Sequence, residues 1–364
     1  MSIEIRLLKK GEEELANEVY NNVRGNSRPI EKFFWEFVNT PAGPAIYVVA
    51  VDTLKEGNQI IGTQCAIPIF GTDNNGNTFL TGKSEDTYVD PAYRGQKLFD
   101  RMYELLFEEC RKTGIKIIWG FTYARKPFLK VGFEIPSDTI QGLLVNDISK
   151  STTYLPALNP DNRTKHKIQI ALLNAAAKGN RILYSFNSSK LPARFSCEEK
   201  LIEEKSEFVQ SCISIQDQQT YDIFQSSAYS DWRLKKNPFN NNYCELNYYK
   251  DDKWIASILY NFRAEGFAYI EQMYFDPILS VKQKLIIIRN AVIKILEKNT
   301  FLIRFWGFDK NPINVMEMNL LKKTGFIFIK KGTGIVWKNL QPLEETKIEF
   351  KQVHFSRVYT QGNI

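Results

Sequence analysis

Apolar and polar residues alternate from Ile3 to Leu8, the period of a half-buried strand, and apolar residues then recur at helical spacing from Glu12 to Val23 and from Ile30 to Val38. Three strand-like runs follow, at Ile46 to Val51, Ile60 to Phe70 and Phe79 to Val89. Turn-forming residues around Gly57-Asn58 and Asp73-Asn74-Asn75-Gly76 separate them, which predicts an antiparallel meander. A helix is predicted from Leu98 to Cys110, with Leu98, Met102, Leu105, Leu106 and Cys110 in register and a stop at Gly114. A β-branched strand from Ile115 to Phe121, a short helix from Ala124 to Val131 and a strand from Phe133 onward complete this half.

The same series recurs. A second meander is predicted at Tyr243 to Tyr249, Trp254 to Phe262 and Ala268 to Phe275. After it come a helix from Ile278 to Leu296, a strand from Phe301 to Phe308, a helix from Asn311 to Lys323 and strands from Phe326 and Gly334. Landmarks recur in order: Trp35 with Asn39-Thr40-Pro41 against Trp232 with Asn237-Pro238, Val89-Asp90-Pro91 against Phe275-Asp276-Pro277, and Gly132-Phe133 against Gly325-Phe326. Trp119-Gly120-Phe121 and Trp306-Gly307-Phe308 stand at nearly equal distances from Asp90 and Asp276, so the chain reads as a duplicated domain. The halves are expected at residues 1–145 and 191–340, joined by a linker and an extra helix (Lys165 to Ala177) over 146–190. The closing segment, 341–364, is too weakly patterned to place.

A length of 364 residues suits two cores, and 43% hydrophobic with 24% charged residues is the composition of a globular chain. The five cysteines, Cys65, Cys110, Cys197, Cys212 and Cys244, form no CxxC pair, and there are two histidines, His166 and His354. Neither a disulfide framework nor a zinc site is expected, and metal-free chemistry is the default. A net charge of +7 suits an anionic ligand but is too dispersed for a nucleic-acid footprint. No apolar run of membrane-spanning length occurs, and the four carboxylates of the opening segment, MSIEIRLLKKGEEE, argue against a secretory signal, so a cytoplasmic protein is expected.

The segment that carries chemistry runs from Thr87 to Phe99 (TYVDPAYRGQKLF), a strand that turns at Pro91 straight into an amphipathic helix. Backbone N–H groups at such a helix N-terminus converge on one spot and bring about half a positive charge. Arg94 and Lys97 add full charges, and Gly95 lets the backbone approach a bulky ligand such as a pyrophosphate. Here the chain resembles the GNAT superfamily of N-acetyltransferases, whose signature is a strand ending V-x-P followed by R-G-x-G-x-G or A. Val89, Pro91, Arg94 and Gly95 match, whereas Lys97 and Phe99 replace the second and third small residues. The likeness runs from about Tyr47 to the V-G-F at Val131 to Phe133; the second half has Ile278-Leu279-Ser280-Val281-Lys282 at the loop and resembles a degenerate copy.

The resemblance implies an α/β (α+β) fold of two tandem GNAT-like domains, each a mixed, mainly antiparallel, splayed sheet flanked by helices. It implies acyl transfer from acyl-coenzyme A to an amine, without a metal. Tyr88, Val89, Arg94, Gly95, Gln96, Lys97, Leu98 and Phe99 would surround the coenzyme, joined by Tyr123 and Phe128. The attacking amine needs a proton acceptor. Ser84, Glu85 and Asp86 break the apolar pattern of their strand, and either Asp86 or Glu85 is expected as the base, the choice depending on whether a bulge exchanges their faces. The tyrosine that protonates the leaving thiolate in many members is Phe128 here, so Tyr123, Tyr88 or water would replace it. Phe33, Phe34, Trp35, Tyr229, Trp232 and Phe239 could line an acceptor cleft, with Arg233, Asn237 and Tyr269 as its polar groups. The acceptor is expected to be a small-molecule amine. The tandem layout is similar to that of N-acyltransferases acting on nucleotide-linked (dTDP or UDP) amino sugars, such as that of anthrose biosynthesis. Two alternatives share these features: tRNA-dependent aminoacyl transfer to cell-wall precursors, and a non-catalytic acyl-CoA-binding module. Neither nucleic acid nor membrane is otherwise expected as a partner.

Overall fold

The computed structural model describes residues 3–25, 27–55, 59–151, 163–186, 190–200, 202, 204–213, 220–238, 242–341 and 347–360. The Gly57-Asn58 turn, Phe239 and residues 152–162 and 187–189 of the expected linker therefore lie outside the described residues. The chain divides into two compact units, each assembled from three stretches: Met1–Asp138, Gln219–Asn241 and Gly332–Val353 in the first, Thr139–Gln218, Asn242–Lys331 and His354–Ile364 in the second.

In the first unit, strands β1 (Ile3–Leu7), β2 (Ile46–Asp52), β3 (Gln59–Asp73), β4 (Thr78–Val89) and β5 (Ile115–Thr122) lie in that order, antiparallel except for β4 beside β5. Helix α1 (Glu13–Arg24) is followed by α2 (Ile30–Phe33), which runs on as a π-helical turn, Phe34–Val38. Helix α3 (Leu98–Lys112) places Leu98, Met102, Tyr103, Leu106 and Phe107 in a core with Val48, Ile61, Ile115 and Ile118. The short α4 (Arg125–Lys130) adds Phe128, and Phe133 packs there too instead of opening a strand. The strand expected from Phe133 begins at Asp138.

In the second unit the order is β6 (Asp138–Val145), β12 (Leu302–Phe308), β11 (Phe267–Phe275), β10 (Lys253–Phe262), β9 (Tyr243–Lys250) and β7 (Phe195–Lys200), with β11 and β12 the parallel pair. Helix α9 (Val281–Glu297) buries Ile287, Ile288, Ala291, Val292 and Ile295 against it. The short α5 (Ile148–Ser151) and α6 (Arg163–Phe186) bring Ile148, Leu173 and Ala177 to a smaller cluster, α7 (Ser206–Ile213) buries Phe208 and Val209, and α10 (Pro312–Lys322) starts with Asn311 accepting from the backbone N–H groups of Ile313 and Asn314. Each unit thus has a meander, a long helix and a strand bearing Trp-Gly-Phe, β5 in one and β12 in the other.

The two units differ from the contiguous halves 1–145 and 191–340 at the strand that closes each sheet. Residues Gly334 to Asn339 of β13 (Ile327–Asn339), from the second half of the sequence, pair with β5, while β6, from the first half, pairs with β12. Local periodicity announces a strand but not its neighbour, since side-chain packing across strands decides pairing. The first unit also takes in β8 (Tyr221–Ile223) on β3 and α8 (Ser227–Ser230), which continues as a second π turn, Asp231–Lys235. Trp35 and Trp232 stand at the same place on the two π turns and stack with centroids 5.2 Å apart. Each indole N–H donates to the other's backbone carbonyl at 2.9 Å.

Candidate functional site

Strands β4 and β5 are paired only from Leu80↔Ile115 to Ser84↔Gly120. Beyond that point β4 continues with register partners in β3 and β5 continues with β13. The two strands therefore part, and facing backbone groups that would otherwise satisfy each other are left for a ligand or water. Gly120 stands at the apex, where a Cβ would come within 2.8 Å of the Ser84 carbonyl oxygen.

Just past the apex β4 carries a bulge. Thr63 pairs with Tyr88 but Cys65 with Glu85, so Asp86 and Thr87 together oppose Gln64. Asp86 takes φ +54, which for a side chain with a Cβ costs about 1–3 kcal/mol and has to be held by its surroundings. The bulge sends Ser84 to the α3 face, where its hydroxyl bonds Tyr103 at 2.9 Å, and Thr87 Oγ1 donates to Gln64 Oε1 at 2.5 Å. Gln64 Nε2 donates to Ser84 Oγ at 3.0 Å, and burial pushes the Tyr103 hydroxyl up. Glu85 and Asp86 both act on the opposite face.

Asp86 is held there on both oxygens. It accepts from Arg28 Nη1 and Nη2 at 3.3 and 3.0 Å and from the Tyr47 hydroxyl at 2.6 Å. Arg28 is fixed in turn by Asn17 Oδ1 at 2.7 Å and lies over the ring of Tyr20, its guanidinium carbon 3.9 Å from the centroid. Burial lifts the Tyr47 hydroxyl well above its ordinary range, with the Asp86 carboxylate adding to the lift. Glu85 is partly exposed and ion-paired to the fully buried Lys83.

Glu36, on the first π turn, completes this face. It is 4% exposed, and among the described residues its carboxylate has no hydrogen-bond partner. Burial, with the nearby Glu85 adding and Lys83 opposing, raises its carboxyl to about 7. Sequence reasoning passed over Glu36, Arg28, Lys83 and Tyr103. The available signal for Glu36 was one charged residue inside the run Phe33-Phe34-Trp35-Glu36-Phe37.

The segment after β4 builds the cradle. Asp90 accepts from the N–H of Ala92 at 2.8 Å and starts a 3₁₀ turn, Pro91–Tyr93. Arg94, Gly95 and Lys97 are exposed, and both Gly95 (φ +84) and Lys97 (φ +56) take left-handed backbone. Lys97 is the N-cap of α3, and no side chain caps that terminus, so the helix presents unsatisfied N–H groups beside two cationic side chains. Leu98 is core, and Phe99 stacks on Tyr103 at 4.8 Å. Tyr88 and Val89 line the end of β4, half-buried. Phe128 packs edge-on against Phe99 and Phe133, both at 5.4 Å, while Tyr123 is 71% exposed. Phe33, Trp35, Tyr229 and Trp232 are buried, as are Arg233 and Asn237.

The second unit has the same splay but different contents. Strands β11 and β12 part after Tyr269↔Arg304, and Glu271 occupies a bulge. There Arg357 ion-pairs with Glu271 and lays its guanidinium 3.6 Å from the Tyr269 ring centroid. The Tyr359 hydroxyl accepts from Gln272 at 3.1 Å, so the closing segment of the chain occupies the wedge. The terminus of α9 is capped by its own residues: the N–H of Gln283 donates to Ser280 Oγ at 3.3 Å, and Gln283 Oε1 accepts from the N–H of Ser280 at 2.9 Å. Among the described residues no group of three or more His, Cys, Asp or Glu could hold a metal, and no helix is long and apolar enough to cross a membrane.

Residues 4–135 match the family model of the acetyltransferase (GNAT) domain. No curated protein matches the sequence. Among solved structures the fold is similar to a probable N-acyltransferase from Enterococcus faecalis at 9% identity, TM-score 0.60, covering 93% of this chain and 73% of the other. Saccharomyces cerevisiae N-myristoyltransferase with bound myristoyl-CoA is similar at 12% identity, TM-score 0.56, over 93% and 79%. A tandem GNAT protein of the clavulanic acid pathway is similar at 10% identity, TM-score 0.51, over 94% and 100%. With the family match falling on the domain that holds the open cradle and the splayed strands, residues 4–135 are an acetyltransferase domain of the GNAT type, and the chain is an acyl-CoA-dependent N-acyltransferase.

Proposed function

We propose that the first unit binds one acyl-CoA, with its pyrophosphate on the Arg94–Leu98 turn and its thioester between β4 and β5, and passes the acyl group to the amine of a small acceptor. The observation that carries this reading is the contrast between two helix termini. That of α3 is uncapped and flanked by Arg94 and Lys97, whereas that of α9 is closed by Ser280 and Gln283. Pyrophosphate needs free N–H donors and positive charge, and only the first terminus offers both. The wedge in the second unit, taken up by Arg357 and Tyr359, fits the same division of labour. For the acceptor we infer an amino sugar carried on a nucleotide, a class supported by the tandem resemblance alone.

Calorimetric titration with acetyl-CoA is expected to give one site per chain. Arg94→Ala should raise the KM for the acyl donor about tenfold or more, the loss of one charge-assisted contact, while Lys282→Ala in the second unit leaves it unchanged. Two sites per chain, or equal effects of the two substitutions, would overturn the assignment. A panel of dTDP- and UDP-linked amino sugars against free amines, followed by thiol release, tests the acceptor class.

A further inference from the structure

Three carboxylates and two cations meet on one face of β4. Asp86 is committed to Arg28 and Tyr47, and Lys83 to Glu85. Glu36 is the member with no hydrogen-bond partner among the described residues, and it is nine-tenths buried within electrostatic reach of the other four. A carboxylate this far withdrawn from water is costly to ionise without a donor, and an arriving N–H lowers that cost. The cluster is also one positive charge short of neutrality when every member is ionised. Its unmet needs are thus a donor and a cation, which an ammonium group supplies together. The other ionisable groups within electrostatic reach among the described residues, Cys65 on β3, Tyr47 on β2 and Tyr103 on α3, are all held neutral by burial.

We propose that Glu36 is the catalytic base, and that the acceptor enters as an ammonium bound between Glu36 and Glu85. This rests on the acyl-transfer reading of the same site. Glu36 takes one proton from the ammonium, and the freed nitrogen lone pair attacks the thioester carbon. The C–N bond forms, the C–S bond breaks, the second N–H proton goes to the departing thiolate, and Glu36 returns its proton to solvent. The π turn that presents Glu36 is a distortion often found at working sites, and the Trp35–Trp232 stack holds it in place.

The test compares nucleophiles. Wild type, Glu36→Gln and Glu85→Gln are assayed with acetyl-CoA against the best primary amine of a panel that includes glucosamine and ethanolamine, ammonium ions at neutral pH, and against hydroxylamine, which is already neutral there. Glu36→Gln is expected to lose about a hundredfold or more in kcat toward the amine, to lose the acid limb of the pH profile near 7, and to keep both its transfer to hydroxylamine and its acetyl-CoA affinity. If it loses both nucleophiles equally, or if the acid limb persists in Glu36→Gln and disappears in Glu85→Gln, the assignment is overturned. If wild type binds acetyl-CoA yet acylates neither nucleophile, the acyl-transfer reading itself fails.

Discussion

Ionising Glu36 opposes folding, because in the native state its carboxyl titrates near 7 against an ordinary value of 4.5. Below about pH 4.5 both the folded and the unfolded chain hold the proton, and the residue costs nothing. Between that pH and about 7 the unfolded chain releases the proton first, so stability is lost progressively, to a total on the order of 3 kcal/mol. Glu36→Gln should therefore match wild type in urea midpoint near pH 4.5 and exceed it increasingly toward about pH 8. A glutamine that destabilised the protein equally at all pH values would contradict the burial described for this carboxylate. A substitution that stabilises the fold while slowing transfer to the amine is the expected signature of a residue kept for chemistry. At the same scale, Asp86 was legible as an exception to its strand's apolar pattern, but its engagement with Arg28, 58 positions away, could not be read from spacing.

Among the elements, the meanders, the long helices α3 and α9 and the Trp-Gly-Phe strands follow from local periodicity and lie where the pattern puts them. The bulge in β4 does not, because it shows only as a skipped register against β3, and it decides which carboxylates share a face. The two π turns were equally hidden, since a run such as Phe34–Val38 satisfies α- and π-helical spacing alike. Gly120 gives the element-scale prediction. In Gly120→Ala the new methyl would sit 2.8 Å from the Ser84 carbonyl oxygen, a backbone atom that cannot rotate away. The strands must separate at the apex, at a cost of about 1–3 kcal/mol in denaturant unfolding and with weaker acetyl-CoA binding by calorimetry. Unchanged stability would mean that β4 and β5 do not touch there.

At the scale of the whole molecule, the closing strands are exchanged between the two halves of the sequence. Val336 and Leu340 belong to the core of the first unit although they come from near the end of the chain. A chain stopped after residue 331 should lose the β13–β5 ladder and these two side chains, and with them acetyl-CoA binding and a cooperative unfolding transition by circular dichroism. Retention of binding by that shortened chain would show that the first unit stands without its borrowed strand. The repeat was legible from landmark order, whereas the exchange was not, because it changes partners and leaves every local pattern intact.

The exchange also sets a timetable on the ribosome. The first unit is begun first, yet Asp138 is separated from Gly332, where its closing stretch starts, by about 200 residues, which take roughly 10 to 40 s to synthesise at ordinary rates. Throughout that interval β5 has one edge without its ladder, the kind of edge that invites pairing with a neighbouring nascent chain. The unit begun first therefore keeps an open edge until most of the other unit has been made, and its exposure to aggregation lengthens with every delay in that synthesis.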